Sequence, residues 1–132
     1  MSNEFHINPA SPTPLYAQLR RAIQFAIATG KLRIGEQLPT VRQMAVDLKI
    51  NANTVAKVYL ELERTGIVET RRGVGTFISD NPLQSRSGSH RDEHLRDFID
   101  RLIAEAGGLG LSLDDLISHL QGRRTKESKT NV

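Results

Sequence analysis

"NANTVAKVYLELERTGIVETRRGVGTFI", residues 51–78, changes its period partway along, and that change decides the fold. Apolar side chains first recur at Val55, Val58, Tyr59 and Leu62, the i, i+3, i+4, i+7 spacing of a helix with one buried side. From Ile67 the pattern alternates instead, through Val68 and Thr70 to a glycine-flanked tip and back through Thr76, Phe77 and Ile78. Gly66 ends the helix, and Gly73 and Gly75 supply the positive φ that a tight hairpin return needs. Asn51 is the expected cap, which leaves Ala52, Asn53 and Thr54 in an exposed first turn.

Upstream, "TPLYAQLRRAIQFAIATG", residues 13–30, predicts a first helix with Thr13 as cap and Pro14 in the first helical position. Leu15, Leu19, Ile23, Ala26 and Ile27 form its apolar side, and Gly30 suits the residue after the last turn. "KLRIGEQLP" follows as an extended connection with a turn at Gly35. Thr40 then caps a second short helix with Val41, Met44, Ala45 and Leu48 on one side. Only "KIN" joins it to the third helix, so the two must cross steeply to share a core, which is the helix-turn-helix arrangement.

Burying Val55, Val58, Tyr59 and Leu62 has a consequence for the other side of the third helix. The step of roughly 100° per residue turns Asn53, Lys57, Leu60 and Arg64 outward. A major groove admits one helix, amide side chains pair with adenine edges, and lysine donates to guanine O6 and N7 or to phosphate. Asn53 and Lys57 therefore have the chemistry and position of base readers, although an ordinary solvated helix carries the same residue types. A hairpin directly after such a helix acts as a wing, which brings Arg71 and Arg72 to phosphates or to the narrow groove's negative potential. Bare main chain at Gly73 and Gly75 permits close approach to the sugar-phosphate wall.

The surrounding chain narrows the field. At 132 residues it has room for one core and a small appendage. With no cysteine there is no disulfide or thiolate chemistry, and the apolar stretches are too short and too broken by charge to cross a bilayer. The start, "MSNEFHINPA", lacks the features of a secretory signal, so a cytoplasmic location is expected. The net charge of +3 lies wholly in residues 1–80, with 10 basic and 7 acidic side chains, whereas residues 81–132 carry 8 of each. That bias points weakly to an anionic partner.

Residues 81–90 read as a polar linker rich in Ser, Asn, Gly and Pro. Beyond it, Leu95, Phe98, Ile99, Leu102, Ile103 and Ala106 form a wide apolar stripe, "GGLG" breaks the helix, and Ser112 with Asp115 caps a last one carrying Leu113, Leu116, Ile117 and Leu120. Residues 123–132 read as a frayed polar tail. Such a stripe on a marginal helix must be covered. A second copy is the simplest cover, with Leu95, Phe98, Ile99, Leu102, Ile103, Leu116, Ile117 and Leu120 as a dimer core over residues 91–122; folding back on the same chain is the alternative.

From Pro14 to Ile78 the chain resembles the winged helix-turn-helix domain of the GntR family of bacterial transcription regulators. "GKL", "LPTVR", "INANTV", "YLELERTGIV" and "RRGVGTFI" occur in order and at the family's spacing. The short two-helix C-terminal part, with no room for a ligand-binding domain, is similar to that of the YtrA-like subfamily. The resemblance implies that Arg42 contacts DNA near the backbone, that Thr54 sits at a phosphate, and that Gly75 is the wing-tip glycine. Ala52 and Ala56 stand where many members carry arginine, which shifts base reading to Asn51, Asn53 and Lys57. Ile34 replaces a proline common before Gly35, which loosens that turn. Some relatives adjoin transporter genes, which makes transport control a context by resemblance only.

The expected protein is thus mainly α with a small β-hairpin: a winged helix-turn-helix domain over 1–80 that binds double-stranded operator DNA, and a homodimerising helical segment. A repressor acting on an inverted repeat, without enzymatic activity or cofactor and with any effector unassigned, is the expected function; a winged module serving only protein assembly is the alternative. "HRDEH", residues 90–94, matches an inverted zinc-peptidase motif in form, but His90 sits at a linker edge and the helix is occupied in burying Leu95 and Phe98. No bound metal is expected there, nor at His90, His94 and His119 together. "GVG" precedes a strand, unlike a dinucleotide-binding loop.

Overall fold

A computed structural model describes the backbone over residues 5–80 and 88–130, and side chains over 5–80 and 92–123. The chain divides into two units, Met1–Pro82 and Leu83–Val132. The first contains α1 (Leu15–Ala28), α2 (Val41–Leu48), α3 (Ala52–Arg64), β1 (Val68–Arg71) and β2 (Gly75–Ile78); the second contains α4 (Gly88–Gly108) and α5 (Leu113–Thr130).

In the first unit α1 and α2 both pack on α3. Leu19, Ile23 and Ala26 from α1, Met44 and Ala45 from α2, and Val55, Val58, Tyr59 and Leu62 from α3 meet in one core with Val68 and Ile78 of the hairpin. Leu62 is 1% exposed, so truncating it to alanine costs about 2–5 kcal/mol by lost transfer energy and cavity formation. Phe5, Leu32 and Leu38 complete that core from the connecting segments.

Local chemistry accounts for most element ends. Thr40 caps α2 by accepting from Gln43 N at 3.0 Å, and Asn51 caps α3 by accepting from Asn53 N at 2.7 Å. Lys49, after α2, is left-handed with φ 57°, the sharp reversal that lets so short a join turn the corner. Before α5, Ser112 Oγ accepts from Asp115 N at 3.1 Å while the Asp115 carboxylate accepts from Ser112 N at 2.9 Å. Donation to it from Ser112, foremost from the backbone N–H, holds the Asp115 carboxyl below its usual value.

The first helix begins differently from the sequence expectation. Thr13 does not cap it; Pro14 is itself the flanking residue, extended at ψ 146°, and no side chain caps the end. The reason lies in Gln18. Its amide donates to the Asn8 and Thr13 carbonyls at 2.9 and 2.8 Å and its oxygen accepts from Asn8 N at 2.8 Å, which straps residues 8–13 back over the first turn. Residues 88–90, expected in the linker, are helical, while 81–87 lie outside the described residues. The last helix runs to Thr130 through the segment expected to fray, consistent with its content of the good helix formers Arg, Lys and Glu.

The hairpin pairs Val68 with Ile78 and Arg71 with Gly75, leaving Arg72, Gly73 and Val74 at the tip. The connection before α2 joins it: Gly35 N donates to Ile78 O, Ile78 N to Glu36 O and Leu38 N to Thr76 O, all at 2.8 Å. Residues 35–38 thereby line the free edge of β2. At the foot, Ser79 N donates to Ile67 O at 3.0 Å and Ser79 Oγ donates to Gly66 O.

In the second unit Gly110, with φ 80°, turns the chain, and Ala106 is buried at the corner. Its carbonyl accepts from Leu109 N and Leu111 N at 3.0 and 2.8 Å.

Buried Tyr59 donates its hydroxyl to Pro39 O at 2.7 Å, and burial pushes its phenol well above the usual tyrosine value. Tyr59→Phe is expected to lower stability by about 1–2 kcal/mol at neutral pH, because the carbonyl loses its donor. A raised folded value keeps the group's contribution intact below the unfolded value and loses it as pH rises beyond about 10. Denaturant titrations from neutral to alkaline pH should show wild type and variant converging above that point.

Candidate nucleic-acid interface

The outward side of α3 follows from its buried side. Asn53, Lys57, Leu60 and Arg64 are all exposed, each about one turn from the next. Asn53 and Lys57 present an amide and an ammonium near the N-terminal end of the helix, where a recognition helix meets base edges. Asn51 is exposed too, but its side-chain oxygen is committed to the cap, which leaves its NH2 as the group available to donate outward. Thr54 is half-buried in the same first turn, and Arg42 is exposed in the first turn of α2.

The two wing arginines differ. Arg71 ends β1, where its Nε donates to the Glu69 carboxylate at 3.0 Å and its guanidinium lies 4.4 Å from the Phe77 ring centre. Period-two geometry places Glu69 and Arg71 on one side of the strand, and Phe77 is the register partner of Glu69. Arg72 is at the tip beside Gly73 and the exposed Val74. Gly73 has φ 76° and Val74 N donates to Arg71 O at 2.9 Å, closing the return.

Gly75 serves the protein's own packing. Gln37 Nε2 donates to Val74 O at 3.1 Å, and a Cβ added at Gly75 would come within 2.3 Å of that nitrogen. The backbone there has φ 146°, which side chains rarely adopt. Gln37 therefore braces the wing from the segment that lines β2, a role with no local signal because the residues it holds are distant in sequence.

A second contact also escaped the sequence reading. Lys57 Nζ lies 4.6 Å from the Tyr16 ring centre, with the Arg20 guanidinium 5.7 Å from the same centre. Arg20 also pairs with Glu61 at 2.8 Å. The exposed flank of α3 is thereby tied to the first turns of α1.

Elsewhere the site is sparse. Among the described residues no group of three or more His, Cys, Asp or Glu side chains could hold a metal, and the side chain of His90 lies outside them. No helix among the described residues is long and apolar enough to cross a membrane.

Three helices with a steeply joined pair, followed at once by an antiparallel hairpin, define a winged helix-turn-helix protein. Residues 15–78 match the family described as "Bacterial regulatory proteins, gntR family". The chain is 34% identical over 121 residues to the uncharacterized HTH-type transcriptional regulator YhcF of Bacillus subtilis, spanning 92% of this chain and 95% of that one. It is 37% identical over 110 residues to the HTH-type transcriptional repressor YtrA of the same species, spanning 83% and 84%. The crystal structure of a transcriptional antiterminator from Listeria monocytogenes superposes with TM-score 0.68 at 28% identity, covering 93% of this chain and 91% of that one. The protein belongs to the GntR family, in its YtrA-like group, and is a DNA-binding transcription regulator. The alternative of a winged module used only for protein assembly gives way to this.

Gly75→Ala is expected to lower stability by about 1 kcal/mol or more, from backbone strain and displacement of Gln37. Adding Gln37→Ala to that variant should recover part of the loss, since it removes the obstructed side chain while the strain remains. Thermal unfolding of the two single variants and the double variant measures the coupling; simple additivity would refute the contact.

Proposed function

We propose that the protein is a cytoplasmic homodimeric repressor that binds an inverted-repeat operator, acting by occupancy and without catalysis. The reading is carried by the outward side of α3, where Asn53 and Lys57 stand exposed opposite the buried stripe. Asn53 and Lys57 read major-groove edges, helped by the Asn51 NH2. Arg42, Thr54 and Arg72 fix the register on phosphates, and the Arg72–Gly73–Val74 tip enters the neighbouring minor groove. Arg71 adds field more than contact, since Glu69 and Phe77 hold it against the strand. Gly75 acts indirectly, by allowing Gln37 to brace that tip. Repression, rather than activation, is supported by the name of the YtrA relative.

Dimerisation through residues 91–122 is supported by the second unit's exposed apolar surface. Leu95, Phe98, Ile99 and Ile103 on α4 and Ile117 and Leu120 on α5 are all exposed, with Phe98 at 54%, while Leu102 and Leu116 are half-buried. Such a surface on one protomer calls for cover, and a two-fold partner would supply it together with a second recognition helix.

Three measurements test this. Lys57→Ala should cost about 1–3 kcal/mol on a duplex selected from a random pool and relax preference at one base-pair position. Arg72→Ala should weaken selected and random duplexes alike and flatten the salt dependence by about one unit. Phe98→Glu should shift sedimentation from dimer to monomer and weaken binding to the inverted repeat more than to a half-site. Wild-type binding of random duplex that ignores salt would refute the electrostatic part of the scheme.

A further inference from the structure

The contact between α1 and the flank of α3 bears on how Lys57 is aimed. A lysine ammonium rides on a flexible four-carbon stem, so an unsupported lysine on a helix surface samples many positions and discriminates bases poorly. Here the ammonium of Lys57 rests 4.6 Å from the centre of the Tyr16 ring. The ring is itself placed: Tyr16 is half-buried and packs against the core, and the guanidinium of Arg20, one turn along α1, lies 5.7 Å from the same centre. Arg20 in turn is paired at 2.8 Å with Glu61, one turn along α3 from Lys57. Two neighbours on one helix thus meet two neighbours on the other. The ring face carries partial negative charge and attracts a cation, and the packed core of α1 and α3 keeps the two helices at this spacing, with the Arg20–Glu61 pair beside the ring.

We infer that Tyr16 is a positioning residue for DNA recognition: its ring holds the Lys57 ammonium at the edge of the outward side of α3 and so sharpens the base preference that Lys57 confers. The inference rests on the base-reading role proposed for Lys57. Tyr16 also packs on the core, but its effect on base preference acts through Lys57 and so depends on the ring face and on the lysine being present. The phenol oxygen is not needed.

The test measures affinity of the full-length protein for a duplex selected from a random pool and for the same duplex changed at the position that Lys57→Ala relaxes. Tyr16→Phe should keep the wild-type ratio of the two affinities. Tyr16→Leu, which keeps apolar bulk but removes the ring face, and Tyr16→Ala should each reduce that ratio by about two- to fivefold, the span of an exposed cation–π contact. Neither should reduce it further when Lys57 is already alanine. Thermal unfolding of each variant shows that the domain remains folded, and the ratio cancels any uniform loss of active protein. If Lys57→Ala relaxes no position, the base-reading role falls and the inference with it. If Lys57→Ala does relax one, but the Leu and Ala variants keep the ratio or reduce it equally without Lys57, the positioning role alone falls.

Discussion

Everything in the first unit depends on one stripe of α3 being withdrawn from water. Val55, Val58, Tyr59 and Leu62 are buried, and each is worth about 1.5–3 kcal/mol of transfer energy. A rigid helix with one side fixed has no freedom in which residues it turns to the other, so hydrophobic burial decides that Asn53 and Lys57 face outward. α1 and α2 both lie on that stripe, and the hairpin closes its end. The outward face of α3 is therefore placed by side chains on its opposite, buried face.

The wing obeys a similar logic by a different means. A two-stranded hairpin is marginal alone, and here residues 35–38 line its second edge with backbone hydrogen bonds while Gln37 reaches the tip carbonyl. Tyr59 completes the link by binding Pro39 O, directly after that edge. The third helix and the wing are thus joined through a connection that a glance at the sequence would treat as filler. Charge on the wing is divided accordingly, with Arg71 drawn onto Phe77 and Glu69 and Arg72 left at the tip.

Much of this was legible in the amino-acid sequence because it is local. The apolar periods of α1, α2 and α3, the caps at Thr40, Asn51 and Ser112, and the switch to alternation after Gly66 each depend on residues a few positions apart. What was missed is non-local. Pro14 rather than Thr13 flanks α1 because Gln18 straps a segment ten residues away, and Gln37 supports a carbonyl thirty-seven residues on. The same holds for Lys57 above Tyr16: each residue looks like an ordinary surface side chain until the two helices cross. The end of α5 differs again: the segment read as a frayed polar tail is helical to Thr130, where Arg, Lys and Glu favour helix.

Ser79 links the end of β2 to the start of β1, with its amide on Ile67 O and its hydroxyl on Gly66 O. Mechanically this is a clasp at the root of the hairpin. The turn already joins the two strands at the tip, so Ser79 closes their other end, where Val68 pairs with Ile78, against the corner that follows α3.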